Sequence, residues 1–300
     1  MRTELPGLSP RTTLQIWNER TSPLSTHIPE IESSGLSVVG PVREDNQDSI
    51  HLPDLENPVG AGLLFAIADG MGGYSHGGLA SSMTVNILSE NLVSENHNTP
   101  IRQVLRHGIE KANLDVYQKA QQLGAGRMGT TLTAVYLAGN MLHLAHVGDS
   151  RAYLIRSGRA TCLSTDHTVV GDMVRSKLLA PDRIRTHAQR SILTKAIGIS
   201  LFVQPDITQH RLHDGDRLIL CSDGVWSVVQ DDDFARIGSD SGSTRNTSER
   251  LIDMALQNDT DDNASVVVIH LNNLASLSGN HKGDDVARPH WFDHLRKLVP

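Results

Sequence analysis

The sequence has little of several features that mark particular classes of protein. It contains 2 cysteines in 300 residues, and both Cys162 and Cys221 stand among apolar neighbours, which indicates buried thiols. This pattern excludes a fold held together by a disulfide framework. Aromatic residues make up only 4% of the chain, so the core is expected to consist mainly of Leu, Ile, Val and Ala.

Positive charge and long apolar runs are also scarce. The chain carries 27 Lys and Arg against 34 Asp and Glu, a formal charge of -7, so no broad basic field is available to bind nucleic acid. No run approaches the roughly 18 consecutive apolar residues of a membrane-spanning helix, and the N-terminus lacks the apolar region of a secretion signal. We therefore expect a cytoplasmic protein with neither a nucleic-acid nor a membrane partner.

The two ends of the chain differ in composition from its middle. Residues 1–32 are rich in Pro, Ser and Thr without an apolar period, which predicts a flexible N-terminal extension. Residues 273–300 form a polar tail whose apolar residues near Trp291 leave two interpretations open, a solvated tail or a docking segment. The sequence thus predicts one globular domain over residues 33–272.

Within this domain, short apolar runs alternate with helical periods. The run at residues 61–68 predicts a buried strand that ends at Asp69. Helices are predicted at 78–93, 101–123 and 247–256, with shorter helical pieces over 168–197. Further strands are predicted at 207–212, 217–221 and 264–271, and those at 130–137, 141–147 and 151–155 read as a single antiparallel meander. The order of elements favours an α+β fold of stacked layers.

Aspartates beside glycine or asparagine recur where predicted strands end, at Asp69, Asp149, Asp223 and Asp262. A single Asp-Gly pair usually marks only a turn. Four such positions predict a cluster, because strands of one sandwich bring their ends to a common edge. Clustered carboxylates repel one another unless cations lie between them. Ligands that are all oxygen select hard ions such as Mg²⁺ or Mn²⁺.

Arg43 precedes the Asp69 strand and stands among acidic residues. A guanidinium can hold two phosphate oxygens, which suits a phosphomonoester beside metal ions, although a surface ion pair with a neighbouring acid is an equal alternative. Two ions that share a water lower its pKa and direct the hydroxide at phosphorus. No nucleophilic side chain is then needed.

Motifs of other enzyme classes are absent or misplaced. Gly124, Gly126 and Gly129 match a dinucleotide-binding pattern, but they follow a predicted helix and precede a strand, the reverse of the required context. Ser150 and Ser222 lack the partners of a hydrolase triad. No zinc-binding spacing of His or Cys occurs.

Eight segments, taken in order, carry a family resemblance: REDNQD (43–48), FAIADGMGG (65–73), GTT (129–131), HVGDSR (146–151), TDHT (165–168), LTKAIG (193–198), CSDGVW (221–226) and DNAS (262–265). This ordered set resembles the metal-dependent serine/threonine protein phosphatases of type 2C in their bacterial form. It covers about residues 36–271 of the chain. The resemblance implies a four-layer αββα sandwich, two antiparallel sheets flanked by helix pairs, with a mobile flap at residues 168–192 beside the metal cleft.

The resemblance also implies roles for individual residues. Asp69 corresponds to the ligand that bridges two catalytic Mn²⁺ or Mg²⁺ ions. Asp223 and Asp262 correspond to the other ligands of the first ion, and the Gly70 carbonyl joins the second.

Three further positions match the family at the edge of this ligand set. Asp48 corresponds to a carboxylate that holds a metal-bound water, and Arg43 to the phosphate-binding arginine. Asp149, together with Asp223, corresponds to the site of a third and weaker ion.

Four positions depart from the family pattern. Gln47 stands where many eukaryotic members have Glu, and Met71 where they have a His proposed as general acid. A metal-bound water is therefore the expected proton donor. Lys195 replaces a commoner Arg, and Ser227 stands where an Asp often follows the Trp, which concerns the third ion.

The expected function is hydrolysis of phosphoserine and phosphothreonine in proteins by a monomeric enzyme. By analogy with the family, its expected partners are phosphorylated proteins and the serine/threonine kinase that phosphorylates them. One alternative is a catalytically weak binding or regulatory module of the same fold, which the presence of Asp69, Asp223 and Asp262 disfavours. The other is a phosphatase of small phosphorylated metabolites, which the sequence leaves open.

Overall fold

A computed structural model describes residues 15–21, 30–55, 62–72, 76–94 and 99–272, with side chains from Ile31 onward. The predicted C-terminal tail, residues 273–300, lies outside the described residues. None of the described helices has both the length and the apolar character needed to cross a membrane.

The described elements alternate groups of strands with groups of helices. The strands are β1 (Gln15–Thr21), β2 (Glu30–Val38), β3 (Asp48–His51), β4 (Leu63–Gly72), β5 (Met128–Thr130), β6 (Leu132–Ala138), β7 (Met141–Val147), β8 (Arg151–Arg156), β9 (Arg159–Cys162), β10 (Asp206–Arg211), β11 (Arg217–Cys221) and β12 (Ala264–Asn272). The helices are α1 (His76–Ser94), α2 (Ile101–Leu123), α3 (Val169–Arg175), α4 (Asp223–Trp226), α5 (Asp231–Gly238) and α6 (Thr244–Gln257), with a 3-10 helix at Pro181–Thr186.

The strands form two antiparallel sheets. The first sheet has the order β1-β2-β12-β11-β8-β9. The second has the order β10-β7-β6-β4-β3, and β5 pairs with the end of β4. Some neighbouring strands are distant in sequence: β2 pairs with β12, which places Val38 opposite Ala264, and β7 pairs with β10. The sheets therefore bring together segments from opposite ends of the described chain.

Strand β4 shows why its apolar run is continuous. Phe65 and Ile67 point into the core between the two sheets, whereas Leu64 and Ala66 pack against helices α1 and α2 on the opposite face. Side chains alternate between faces along a strand, so a strand covered on both sides needs apolar residues at every position.

The first sheet is covered in the same way. Leu218 and Leu220 of β11 belong to the core between the sheets, while Ile219 and Cys221 pack outward against α5 and α6, where Phe234 is buried. Helices therefore lie outside both sheets, which confirms the predicted four-layer αββα sandwich.

The predicted meander is wrong in its last strand. Strands β6 and β7 pair in the second sheet, but β8 crosses to the first sheet and pairs with β11. The crossing occurs at Gly148, whose φ of 107° lies in a region that other residues rarely adopt. A side chain there would also clash with Thr131, whose Cβ lies 2.6 Å from the added Cβ position.

Two other expectations need correction. Strand β2 begins at Glu30 and pairs with β1, Gln15–Thr21, so part of residues 1–32 belongs to the first sheet rather than to a flexible extension. Cys221 is buried as predicted, but Cys162 is exposed because it ends β9, the edge strand of that sheet.

Candidate active site

Asp69 lies in β4 directly opposite Asp48 in β3. The backbone of Asp69 is held by two consecutive threonines. Its N–H donates to Thr131 Oγ1 at 2.9 Å, and its carbonyl accepts from Thr131 N at 2.8 Å. Thr130 Oγ1 donates to the same carbonyl at 2.8 Å. The direction of the Asp69 side chain is therefore set by strand pairing rather than by a loose loop.

Asp223 and Asp262 meet because β11 and β12 are antiparallel neighbours. Asp223 begins the short helix α4 directly after β11, and Asp262 precedes β12. Gly224 allows the close approach, since an added Cβ would lie 2.1 Å from the carbonyl oxygen of Asn263.

Asp149 is buried at the crossing between β7 and β8 and is supported by a buried cluster. Trp226 Nε1 donates to the Asp149 carbonyl at 2.8 Å, and the Arg151 guanidinium lies 3.6 Å from the centre of the Trp226 ring. Arg151 in turn forms a two-bond ion pair with buried Asp166, at 2.7 and 3.0 Å. This cluster joins the Asp149 loop to α4 and to Asp166, just before the segment predicted as a flap.

Asp48 is 8% exposed and accepts a hydrogen bond from Ser265 Oγ at 2.6 Å. The Asn263 side chain ties the same two segments together, because its Oδ1 accepts from Gln47 N at 3.0 Å and its Nδ2 donates to Asp45 O at 3.1 Å. The segment that carries Arg43 and Asp48 is thereby attached to the segment that carries Asp262.

The electrostatics of these carboxyl groups favour a bound cation. Burial raises the pKa of Asp48, Asp69, Asp149 and Asp223, and repulsion between neighbouring carboxylates raises each of them further. Asp223 Oδ1 is buried, and among the described residues it has no hydrogen-bond partner. A buried carboxylate oxygen without a donor is costly unless an ion binds it. The oxygen-only set suits Mn²⁺ or Mg²⁺.

Asp262 has different contacts from the other predicted ligands. Its Oδ2 forms an ion pair with Arg43 Nη2 at 2.7 Å, and its Oδ1 accepts from Asn263 N at 2.8 Å. Over the part of the chain that the structure describes, no three His, Cys, Asp or Glu side chains converge closely enough to enclose an ion. Of the two interpretations of Arg43, the structure contains the ion pair with an acid, and the same side chain lines the cavity.

One cavity of about 960 Å³ brings most of the predicted site residues together. Its lining includes Arg43, Asp69, Gly70, Asp149, Asp223 and Asp262. Asp48 does not line it but lies opposite Asp69 in the neighbouring strand. The cavity thus combines a group of carboxylates with one half-exposed guanidinium, which can hold cations and a phosphate side by side.

Several residues of the cavity were not predicted from the sequence. Arg127 lies within the rejected glycine pattern, and Ile199 and Phe202 lie in a segment for which no element was predicted. The sequence identified Lys195 only as a departure from the family pattern. In the structure it lines the cavity, where its Nζ donates to Asp206 Oδ1 at 3.1 Å and lies 3.2 Å from His167 Nε2. The three consecutive apolar residues that follow the LTKAIG segment, Leu201, Phe202 and Val203, could have indicated this part of the cavity.

Comparison of sequences identifies relatives with the same motifs. The profile of the family described as protein phosphatase 2C matches residues 42–258. A putative protein phosphatase 2C-type of Streptococcus pyogenes is 33% identical over 234 residues, which cover 77% of this chain and 94% of that protein.

Comparison of structures agrees with the sequences. The serine/threonine phosphatase of S. agalactiae has a TM-score of 0.74 and 32% identity, covering 81% of this chain and 100% of that one. The catalytic domain of the serine/threonine protein phosphatase PstP, solved in complex with two manganese ions, has a TM-score of 0.70 and 31% identity, covering 81% of this chain and 99% of that one. The chain belongs to the protein phosphatase 2C family, which confirms the predicted resemblance.

Proposed function

We propose that this protein is a metal-dependent phosphatase that removes phosphate from phosphoserine and phosphothreonine in proteins. The observation that carries the proposal is the cavity lined by Asp69, Asp149 and Asp223, with the buried Asp223 Oδ1 unpartnered among the described residues. Membership of the family supports it, and so does the relative that binds two manganese ions.

The carboxylates would hold Mn²⁺ or Mg²⁺. Asp69, Asp223, Asp262 and the Gly70 carbonyl would bind two ions, and Asp149 with Asp223 a third. When bound, such ions polarise phosphoryl oxygens and lower the pKa of water. Asp48, which accepts a hydrogen bond from Ser265 Oγ at 2.6 Å and lies opposite Asp69, would hold a water molecule that binds one of the ions.

Arg43 binds the phosphate group of the substrate. Its side chain is 51% exposed and lies at the cavity, so it can turn from Asp262 to two phosphate oxygens without a backbone rearrangement. The same movement frees Asp262 Oδ2, which becomes available as a ligand. Binding of phosphate by Arg43 and completion of the ligand set by Asp262 are therefore coupled.

The serine or threonine oxygen must take up a proton as it leaves. Met71 lines the cavity but has no proton to give. Water in the cavity therefore supplies the proton, and no side chain is assigned as general acid.

Hydrolysis assays test this proposal. With Mn²⁺, the protein should hydrolyse p-nitrophenyl phosphate and phosphothreonine peptides, and Asp69→Asn should lower turnover more than about 100-fold, because loss of outer-shell partners alone costs about 10- to 100-fold. Asp232→Asn changes an exposed aspartate of α5 and should keep wild-type turnover. Equal turnover in Asp69→Asn and the wild type would show that the carboxylates are not catalytic, as in a binding module of the same fold.

The biological context follows from the same activity. We place the enzyme in the cytoplasm as a monomer of 32.7 kDa that opposes a serine/threonine kinase. Phosphoproteomics of cells that carry Asp223→Asn in place of the wild type should show specific phosphoserine and phosphothreonine sites accumulating. Accumulation of phosphorylated metabolites alone would instead identify a small-molecule phosphatase.

A further inference from the structure

Ile199 and Phe202 form an apolar surface at the edge of the catalytic cavity, which we call the rim platform. Phe202 is 85% exposed and Ile199 39% exposed, and both line the cavity that contains Asp69 and Asp223. They lie in the loop that joins the LTKAIG segment to β10. Neither is used by the metal ligands or by Arg43.

The loop that carries the rim platform is held from beneath by a buried side chain. Asn113 of α2 is 1% exposed and accepts a hydrogen bond from Gly198 N at 2.9 Å. Its Nδ2 donates to Ser200 O at 3.0 Å and to Leu201 O at 3.1 Å. A buried carboxamide that satisfies three backbone groups fixes the loop, so the exposed Phe202 is presented by a defined backbone.

The Ile199 side chain is fixed as well. It packs over Gly129, where an added Cβ would lie 2.7 Å from Ile199 Cδ1. The preceding Ile197 exchanges two backbone hydrogen bonds with Thr130, at 2.8 and 3.0 Å. The rim platform is therefore joined to the strand pair that also holds Asp69.

Exposed apolar side chains are concentrated at this cavity. Single exposed apolar residues are common on proteins, but a contiguous group beside a site indicates binding. Of the ten exposed large hydrophobic residues among the described side chains, four line the cavity: Val42, Ile192, Ile199 and Phe202. The same lining contains the cations Arg43, Arg127 and Lys195. This combination suits a ligand that carries both negative charge and an apolar group.

We propose that the rim platform binds an apolar side chain that flanks the phosphorylated residue of a protein substrate, so that the enzyme prefers such sites. The inference rests on the proposed function and names a substrate class for it. The occupant is a phosphorylated peptide segment, because the platform and the carboxylates share one cavity and a phosphate held at Arg43 leaves the flanking residues at the rim.

A peptide series tests the preference. Phosphothreonine peptides of Gly and Ser are made with a single Leu at each position from four before to four after the phosphothreonine, alongside the parent without Leu. Wild type should hydrolyse at least one Leu peptide with a kcat/KM roughly tenfold above the parent, the lower range for a small apolar group in a pocket. Phe202→Ala should reduce that ratio to about one, and Phe202→Leu should retain part of it.

The ratio compares kcat/KM for the Leu peptide and for the parent peptide within one variant. A smaller amount of folded enzyme lowers both values equally and leaves the ratio unchanged. Val93→Ala, which truncates an exposed residue of α1 away from the cavity, serves as control and should keep the wild-type ratio. The inference is overturned if no Leu peptide is preferred by the wild type, or if Phe202→Ala keeps the wild-type ratio. It is also overturned if light scattering shows that the wild type self-associates and Phe202→Ala does not, since the platform would then be an interface between copies.

Failure of the inference is distinguishable from failure of the proposed function. Suppose that wild type hydrolyses p-nitrophenyl phosphate far faster than Asp69→Asn but shows no preference for Leu peptides. The phosphatase activity is then supported, and only the role of the rim platform is wrong.

Discussion

At the scale of single residues, Arg43 must change its binding partner for the proposed reaction to proceed. It forms an ion pair with Asp262 in the structure and binds phosphate in the proposed reaction. Because the pair is substantially exposed, its own contribution to folding is small, about 1 kcal/mol or less. Mutation of Arg43 should therefore weaken substrate binding and leave the free energy of unfolding nearly unchanged.

Arg43→Ala should raise KM for phosphothreonine peptides by roughly 10- to 100-fold, since a hydrogen bond to a charged group contributes about 1.5 to 3 kcal/mol. Arg43→Lys keeps the charge but loses the two-bond geometry, so its KM should be intermediate. Steady-state kinetics at saturating Mn²⁺ measure both. An unchanged KM in Arg43→Ala would contradict the assignment.

His146 makes stability depend on pH. It is 1% exposed, lies between Thr133 and Thr165 and stacks on His167 at 4.9 Å. Burial, together with the neighbouring charge of His167, lowers the pKa of His146 to about 4, and the nearby carboxylates Asp166 and Asp206 offset this only in part. The imidazole is therefore neutral in the folded protein.

The unfolded chain takes up a proton at His146 near pH 6.5, whereas the folded chain does not until about pH 4. The contribution of His146 to stability is thus fully present above about pH 6.5 and is lost as pH falls towards 4. Denaturant unfolding from pH 7 to pH 4.5 should show wild type losing on the order of 2 to 3 kcal/mol more than His146→Gln. Parallel stability curves for the two proteins would exclude this role.

At the scale of elements, Arg185 attaches the segment predicted as a flap to helices α4 and α5. Arg185 of the 3-10 helix donates to Trp226 O at 2.9 Å, to Val229 O at 3.3 Å and to Asp231 Oδ1 at 2.6 Å. Trp226 also holds the Asp149 loop, so the position of the flap and that of a predicted metal ligand share one support.

Arg185→Ala should release the flap. Hydrogen exchange of amides in residues 181–192 should become roughly tenfold faster, because the loss of about 1.5 kcal/mol of charged hydrogen bonding raises the open population by that factor. Arg183→Ala is the matched control, since the Arg183 side chain is 71% exposed and forms an ion pair with the adjacent Asp182, at 3.9 Å. Equal exchange in the two variants would show that Arg185 does not hold the flap.

Elements were predictable from sequence where periodicity was strong. The bounds of α2, β7 and β11 agree with prediction, because each has a clear apolar period or run. Strand β9 was not predicted, since its residues Arg159–Cys162 are mostly exposed at the sheet edge. The transfer of β8 to the other sheet was not predictable from the sequence. A glycine such as Gly148 between two apolar strands is equally typical of a hairpin, in which the two strands pair with each other.

At the scale of the whole molecule, the fold explains why residues from distant segments share a cavity. Asp48 and Asp69 come from neighbouring strands of the second sheet, while Asp223 and Asp262 come from the ends of neighbouring strands of the first. The strand-end pattern of the sequence predicted a cluster of Asp69, Asp149, Asp223 and Asp262, whereas Asp48 was assigned only by the family resemblance. The sequence could not predict the Arg43–Asp262 pair or the rim platform, which depend on how loops from both sheets meet.

The central claim is that these carboxylates, loaded with divalent ions, hydrolyse phosphoproteins. It is tested most directly by phosphate release from a phosphothreonine peptide as Mn²⁺ is titrated into chelator-treated protein, with Asp223→Asn measured in parallel. The wild-type rate should rise from near zero to saturation, and the Asp223→Asn rate should stay more than about 100-fold lower at the same Mn²⁺ concentrations. A wild-type rate independent of Mn²⁺, or full activity in Asp223→Asn, would contradict the account.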